Sequence, residues 1–238
     1  MKRFWRDVAV ADRGVLLDGR PVRTPAKATL LLPTDALADA VADEWRAVGT
    51  DIDPRAMPLT GLANAAIDRV APIHASFAAD LAKYGESDVL CYRAELPVEL
   101  AARQDAVWTP ILDWARARYD IAFTLVTGII HRAQPPETVA RLGAALAVRD
   151  GWALAALSPL VTISGSLVAA LMLAEGAITP DATFDATHLD ELWQAELWGE
   201  DWMATDARAL RRADFLAAAR FHELLGQQEA PSREAFAE

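Results

Sequence analysis

The segment from Gly151 to Ala174, GWALAALSPLVTISGSLVAALMLA, carries no charged side chain. It is long enough to cross a bilayer as a helix, so the chain must either place it in lipid or bury it in a protein core. Ser158, Pro159, Thr162, Ser164, Gly165 and Ser166 interrupt its middle, and no cluster of Lys or Arg flanks it closely. A spanning helix favours basic flanks and a continuous apolar centre. The expectation is two buried helices that meet near Ser164-Gly165, with no stable membrane insertion. A membrane-associated assembly factor using residues 151–174 is the alternative.

Helices buried on every side need the rest of the chain to wrap them. Of the 238 residues, 53% are hydrophobic and 24% charged, enough for one large domain or two modest ones. In residues 4–10, Phe4, Val8 and Val10 alternate with Trp5, Asp7 and Ala9. In GVLLDGRPVRTPAKATLLLP, residues 14–33, Asp18-Gly19 suits a tight hairpin turn. Pro25-Ala26-Lys27 marks a second turn before a strand at residues 29–32. Three strands in meander order are expected. Pro33-Thr34-Asp35 then opens a helix with Leu37, Val41, Trp45 and Val48 on one face and Gly49 at its end. Further helices are expected over 59–70 and 72–84.

After DVLCYRAELP the signals turn helical. A helix is expected over 97–119, kinked or broken by Pro110. A short extended piece at 121–128 follows, then a helix opened by Pro135-Pro136, the two uncharged helices, and helices over 181–198 and 202–225. The fold class is therefore α+β. A small strand-rich N-terminal α+β domain with a β-meander, residues 1–90, precedes an all-helical C-terminal domain, residues 91–238. Composition shifts near residues 85–97, which places the boundary.

The formal net charge of -11 argues against nucleic acid or an anionic membrane as partner, since both are negative. One cysteine, Cys91, cannot form an internal disulfide and is expected as a buried small residue. No GxGxxG, phosphate-loop or HExxH motif occurs. Ser164-Gly165-Ser166 is not a nucleophile elbow. His188 and Glu191 have a spacing that can hold a metal, but further ligands are missing. Neither a metal nor a cofactor is expected. The start, MKRFWRDVAV, lacks the apolar core of a signal peptide, so a cytoplasmic location is expected. Arg20, Arg23 and Lys27 in RPVRTPAK form a possible second contact for an anion, or an ordinary solvated hairpin edge.

The stretch ELWQAELWGEDWMA, residues 191–204, gathers Trp193, Trp198 and Trp202 among Glu191, Glu196, Glu200 and Asp201. At about 100° per residue on a helical wheel, Leu192, Trp193 and Leu197 fall within about 80° of Leu189 and form one apolar stripe. Glu196 falls inside that stripe, and Trp198 about 180° away among acids. A carboxylate facing the core must be paired, protonated or near an opening. An exposed tryptophan leaves a large ring in water. Local rules broken without visible gain often mark function. An internal salt bridge from Glu196 to an arginine of its own fold is the competing explanation.

The stretches KRFW, LDGRPVRTPAK, MPLTGLANAAIDR, DVLCYRA, RQDAVWTPILDW, TISGSLVAAL and QAELWGED, in this order, resemble the assembly chaperones that handle the alpha subunit of the F-type ATP synthase catalytic head. The resemblance runs from about Lys2 to Leu225. It implies a chaperone that binds the unassembled ATP synthase alpha subunit, with no catalysis and no cofactor; a monomer is expected. It also implies a location equivalent to the mitochondrial matrix of eukaryotic relatives. The family's emphasis on an acidic residue around Trp-Gly is matched to Glu196, with Glu200 and Asp201 beside it. Trp202-Met203 departs from the family pattern, where an acid is usual, and Ala65 and Ser87 stand where threonine is common. The expected partner-binding residues are Glu196, Trp198, Glu200, Asp201 and Glu191. The alternative is a cofactor-free enzyme using Glu196 with Asp201 or Glu191 as an acid/base pair.

Overall fold

The structure is a computed structural model that describes residues 2–199 and 201–226. Strands β1 (Val8–Ala11), β2 (Gly14–Leu17) and β3 (Arg20–Pro21) form an antiparallel meander, with Val8 opposite Leu17 and Leu17 opposite Arg20. Both turns place two residues at positive φ: Asp12 and Arg13 at 49° and 61°, Asp18 and Gly19 at 48° and 75°. Paired left-handed residues match the twist of a tight hairpin, as expected at Asp18-Gly19. Asp18 Oδ1 also accepts from the N–H groups of Arg6 (3.0 Å) and Asp7 (2.9 Å), which ties the turn to the start of β1.

Two details differ from the sequence pattern. The strand expected at 29–32 shrinks to isolated bridges, Gly14 with Leu31 and Arg23 with Thr29. Its alternation survives, because Leu30 and Leu32 are buried while Leu31 is exposed. At the N-terminus Trp5, not Phe4, faces the core. Trp5 meets the Trp45 ring edge-on at 5.1 Å, and the larger ring gains more from burial.

Helix α1 (Asp35–Ala47) starts at Thr34, whose Oγ1 accepts from Leu37 N–H (3.2 Å) and whose hydroxyl donates to the Leu224 carbonyl (2.8 Å). Helix α2 (Pro58–Ala65) has no side-chain cap of its own. Glu44 of α1 supplies one: Oε1 accepts from Leu59 N–H, and Oε2 from Thr60 N–H and hydroxyl, each at 2.7 Å. A carboxylate there satisfies orphan donors and suits the helix dipole. The helices expected over 59–70 and 72–84 are joined. A π-helical turn (Ala66–Val70) and a 3-10 turn (Ala71–Ile73) carry α2 into α3 (His74–Ala82). Asp68, on the π-helical turn, accepts from Thr24 Oγ1 (2.7 Å) and Ala26 N–H (2.9 Å), and so holds the cationic hairpin.

Beyond residue 90, β4 (Tyr92–Arg93) pairs in parallel with β5 (Val126–Thr127). Between them runs α4 (Val98–Tyr119). Pro110 does not break it: Pro110 and Ala106 lie on the exposed side, where the carbonyl that loses its amide partner can take water. Then come α5 (Pro136–Ala147), α6 (Gly151–Ser164), α7 (Leu167–Ala174), α8 (Pro180–Thr187), α9 (Leu189–Trp198) and α10 (Trp202–Gly226). The single helix expected over 181–198 is divided at His188. That residue leaves helical geometry at φ -105° and ψ 18°, its ring stacks on Phe184 at 3.8 Å, and its Nδ1 lies 2.9 Å from the Phe184 carbonyl.

The uncharged segment is α6 and α7. Leu157, Leu160, Val161 and the run Leu167–Leu171 are completely buried, and among the described residues no helix is long and apolar enough to cross a membrane. α10 lies along α6. The larger core gathers Trp108, Leu112, Leu142, Leu160 and Phe215, together with Val70 and Leu81 from before residue 90. The smaller gathers Trp5, Leu30, Leu37 and Val41, together with Ala156 of α6 and Phe221 of α10. These two long helices serve both cores.

Asp88 sits where α6 passes into α7. Its Oδ1 accepts from Leu90 N–H (3.1 Å), and its Oδ2 from the Ser166 hydroxyl (3.0 Å) and Val168 N–H (2.9 Å). Gly165, at φ +67°, ends α6, and Ser166 caps α7 by accepting from Ala169 N–H at 3.0 Å. The interruption expected at Ser164-Gly165 is therefore a bend fastened from outside. Complete burial raises the Asp88 carboxyl to about 6 against the pull of its donors. The folded group holds its proton to higher pH than the unfolded group. Its contribution to stability is thus full below about pH 4 and is lost as pH rises through about 6. Asp88→Ala leaves two amides and a hydroxyl without an acceptor and should cost about 2–4 kcal/mol in denaturant unfolding. The stability of the wild type relative to Asp88→Asn should fall as pH rises from about 4 to about 6 and level off above that; a difference independent of pH would contradict the assignment.

Candidate partner-binding site

The apolar stripe expected along α9 does not face a core. Only Leu189 of α9 is buried. Trp193 is half-buried under the Arg103 guanidinium, 5.6 Å from the ring centroid. Leu197 is 54% and Trp198 78% exposed. Glu196, expected inside the stripe, is exposed as well. It forms a two-pronged pair with Arg103 of α4, Nη1 to Oε2 at 2.5 Å and Nη2 to Oε1 at 2.9 Å. The Arg103 hydrogen bonds hold its carboxyl below the usual range. The wheel failed because periodicity assumes a core along the whole helix, whereas only the first turns of α9 are covered.

The other acids have separate tasks. Glu191 pairs with Arg211 (2.6 Å) and Arg208 (3.6 Å), clasping α9 to α10. Asp190 accepts from Gln104 Nε2 at 2.7 Å. Asp201 caps α10, its Oδ1 accepting from Met203 N–H (3.2 Å) and its carbonyl from Thr205 N–H (2.9 Å). Glu200 lies outside the described residues. Glu196 and Glu191 each face their own arginine, so these two do not converge as an acid/base pair. His188 is held by Phe184 and is no partner to Glu191 in a metal site; among the described residues no group of three or more metal-ligating side chains gathers. Cys91 is fully buried, and burial pushes its thiol up to about 12. Arg20, Arg23 and Lys27 are exposed on the hairpin, where Arg23 Nη1 donates to the Lys27 carbonyl at 2.9 Å.

What the end of α9 offers is apolar surface. Trp198, Trp202 and Met203 are 78%, 71% and 62% exposed. They lie within six residues of one another in sequence, around a turn at Gly199 with φ +84°. Glu196 and Asp201 border them. Tryptophan presents a large rigid face and one donor, a combination suited to a partner's pocket. Trp202 and Met203 read in sequence only as a loss of acidity. Exposed Leu96 and Val98, and Ile129 and Ile130, were not singled out; the signal available was the apolar tip between two glutamates in ELPVE, residues 95–99.

These placements separate scaffold from surface. Glu191→Ala should destabilise the fold by about 1 kcal/mol, the discounted value for a partly exposed charged cluster. Glu196→Ala should leave the denaturation midpoint where it was, since both partners stand in water. A midpoint that drops more for Glu196→Ala than for Glu191→Ala would reverse this assignment.

A family profile described as ATP12 chaperone protein matches residues 2–116. The crystal structure of Atp12 from Paracoccus denitrificans superposes with a TM-score of 0.89 at 42% identity, covering 94% of this chain and 98% of that one. An aspartate-to-lysine mutant of P. denitrificans Atp12p gives 0.87 at 41% identity, covering 94% and 97%. The mitochondrial protein atp12 of Schizosaccharomyces pombe is 25% identical, covering 83% of this chain and 74% of that protein. With more than two-fifths identity over nearly the whole length of a solved Atp12, on the same fold, the chain belongs to the ATP12 chaperone family.

Proposed function

We propose that this chaperone serves ATP synthase assembly by binding the unassembled alpha subunit of the F-type catalytic head, and that the client docks on the ridge of Leu197, Trp198, Trp202 and Met203. The observation that carries the reading is the pair of tryptophans held in water beside carboxylates. An unassembled subunit exposes an interface meant for its neighbour, and large exposed apolar patches aggregate. A ridge of aromatic anchors covers such a patch while remaining displaceable by the true partner.

Glu196 fits this use because its ion pair is exchangeable. Both it and Arg103 stand in water, where such pairs are weakly held. A client cation can therefore replace Arg103. Asp201 borders the ridge as a further contact, Glu200 is a contact by its place in the sequence alone, Glu191 ties α9 to α10, and Arg20, Arg23 and Lys27 offer a second contact on the hairpin. In this reading the protein acts by binding alone, as a monomer in the cytoplasm, without catalysis or a cofactor. Glu191 and Glu196 are engaged with different arginines, which speaks against these two as an acid/base pair.

Trp198→Ala should weaken binding to purified alpha subunit at least about tenfold, the usual effect of truncating an aromatic anchor. Glu196→Lys should fold with an unchanged circular-dichroism spectrum yet fail to suppress light scattering by refolding alpha. Full protection by both folded variants would sink the reading.

A further inference from the structure

We infer that the loop after β5, together with the turn that opens α4, forms a second docking arm that takes an apolar segment of the same client bordered by Lys or Arg. The inference rests on the function proposed above and extends it to residues outside the tryptophan ridge.

Ile129 is 94% and Ile130 77% exposed. The loop that carries them is pinned on both sides. Gly128 donates its N–H to the Arg93 carbonyl at 2.9 Å, continuing the β4–β5 ladder, and turns the chain at φ +84°. Just beyond the isoleucines, His131 Nδ1 lies 3.0 Å from the Tyr92 hydroxyl, and its Nε2 lies 3.7 Å from Glu86. Buried Gln134 then brackets the chain just before β5: Thr124 N–H donates to its Oε1 (2.9 Å), and its Nε2 donates to the Thr124 carbonyl (3.0 Å). The two isoleucines form the unsupported apex of a braced loop. Bracing lowers the ordering cost of binding.

The turn into α4 leaves the same end of the sheet. β4 and β5 are parallel, with Arg93 opposite Thr127, so both strands run out in one direction, one into residues 94–98 and the other into 128–130. Leu96 is 74% and Val98 66% exposed. Along α4, Trp108 bonds Ala186, Gln104 bonds Asp190 and Arg103 bonds Glu196. Earlier residues of α4 thus meet later residues of α8 and α9. The first turn of α4 therefore lies toward the end of α9 that carries Leu197 and Trp198. Exposed Leu96 and Val98 thus share one end of the sheet with the isoleucine loop and lie on the side toward which α9 runs.

The chemistry of the arm selects its occupant. Backbone groups beside the two strands are already taken: Ala94 N–H donates to Gln104 Oε1 at 2.7 Å, and Gln134 bonds both the N–H and the carbonyl of Thr124. The arm offers side chains rather than free backbone. Glu95 and Glu99, both exposed, flank Leu96 and Val98, and the chain carries a net charge of -11. Such a surface complements an apolar segment with a basic rim and disfavours a second copy of this acidic chain.

The test uses the full chain with Ile129→Asp and Ile130→Asp combined, beside Trp198→Ala, against purified alpha subunit. The expected result is binding weakened at least about tenfold in the isoleucine variant, with an unchanged melting curve. Wild-type affinity for alpha from the isoleucine variant, with loss in Trp198→Ala, would overturn the second arm and leave the ridge standing. Loss in the isoleucine variant alone would support the arm and overturn the ridge. If the double variant does not fold, Leu96→Ser and Ile130→Ser singly replace it, with the same expectation of weakened binding. Sedimentation supplies the remaining check: a wild-type dimer that the isoleucine variant converts to monomer would make a second copy the occupant and overturn the inference.

Discussion

The carboxylate of Asp88 fastens the most apolar part of the chain. Helices α6 and α7 hold the uncharged segment and do not run on as one rod. They bend at Gly165, and the bend exposes the first amides of α7 to a dry interior. Asp88 and Ser166 satisfy those amides. The same logic recurs at lower burial, with Glu44 capping α2 and Asp68 holding the hairpin turn. In each case an acid from one sequence stretch satisfies donors on another.

This pattern gives the family-like stretches a physical meaning. LDGRPVRTPAK and MPLTGLANAAIDR meet through Asp68. DVLCYRA meets TISGSLVAAL through Asp88. Arg93 of DVLCYRA stacks over Trp108 of RQDAVWTPILDW, 5.1 Å from the ring centroid. RQDAVWTPILDW meets QAELWGED through Arg103 and Glu196. The first three links are buried at least in part, and the last stands in water. A chain of fixed joints thus ends in one labile joint, beside the surface where large apolar rings are left uncovered.

Much of the architecture was legible because it rests on local rules. The Asp18-Gly19 turn follows from its dipeptide, and the break at Ser164-Gly165 from small residues inside an apolar run. The buried state of α6 and α7 follows from their interrupted middle and unflanked ends. What was not legible depended on distant partners. His188 divides α8 from α9 through a stack on Phe184, which no helical periodicity encodes. Glu44, Asp68 and Asp88 look like ordinary surface acids until the fold brings donors to them. At the candidate site, composition drew attention to the right stretch, but the wheel turned Glu196 inward, where the structure has it outside and paired. Ile129 and Ile130 went unnoticed because an apolar pair in a short run reads as core unless the loop around it is known to be pinned outward.

The end of the molecule bearing Trp198 is the surface proposed to meet the client. Site-specific photo-crosslinking tests it most directly. A photoreactive amino acid is placed at Trp198 in one protein and at exposed Val148, between α5 and α6, in another. Each is then irradiated with purified alpha subunit. A covalent product with alpha is expected from position 198 and none from position 148. Crosslinking from position 148 with none from position 198 would contradict it.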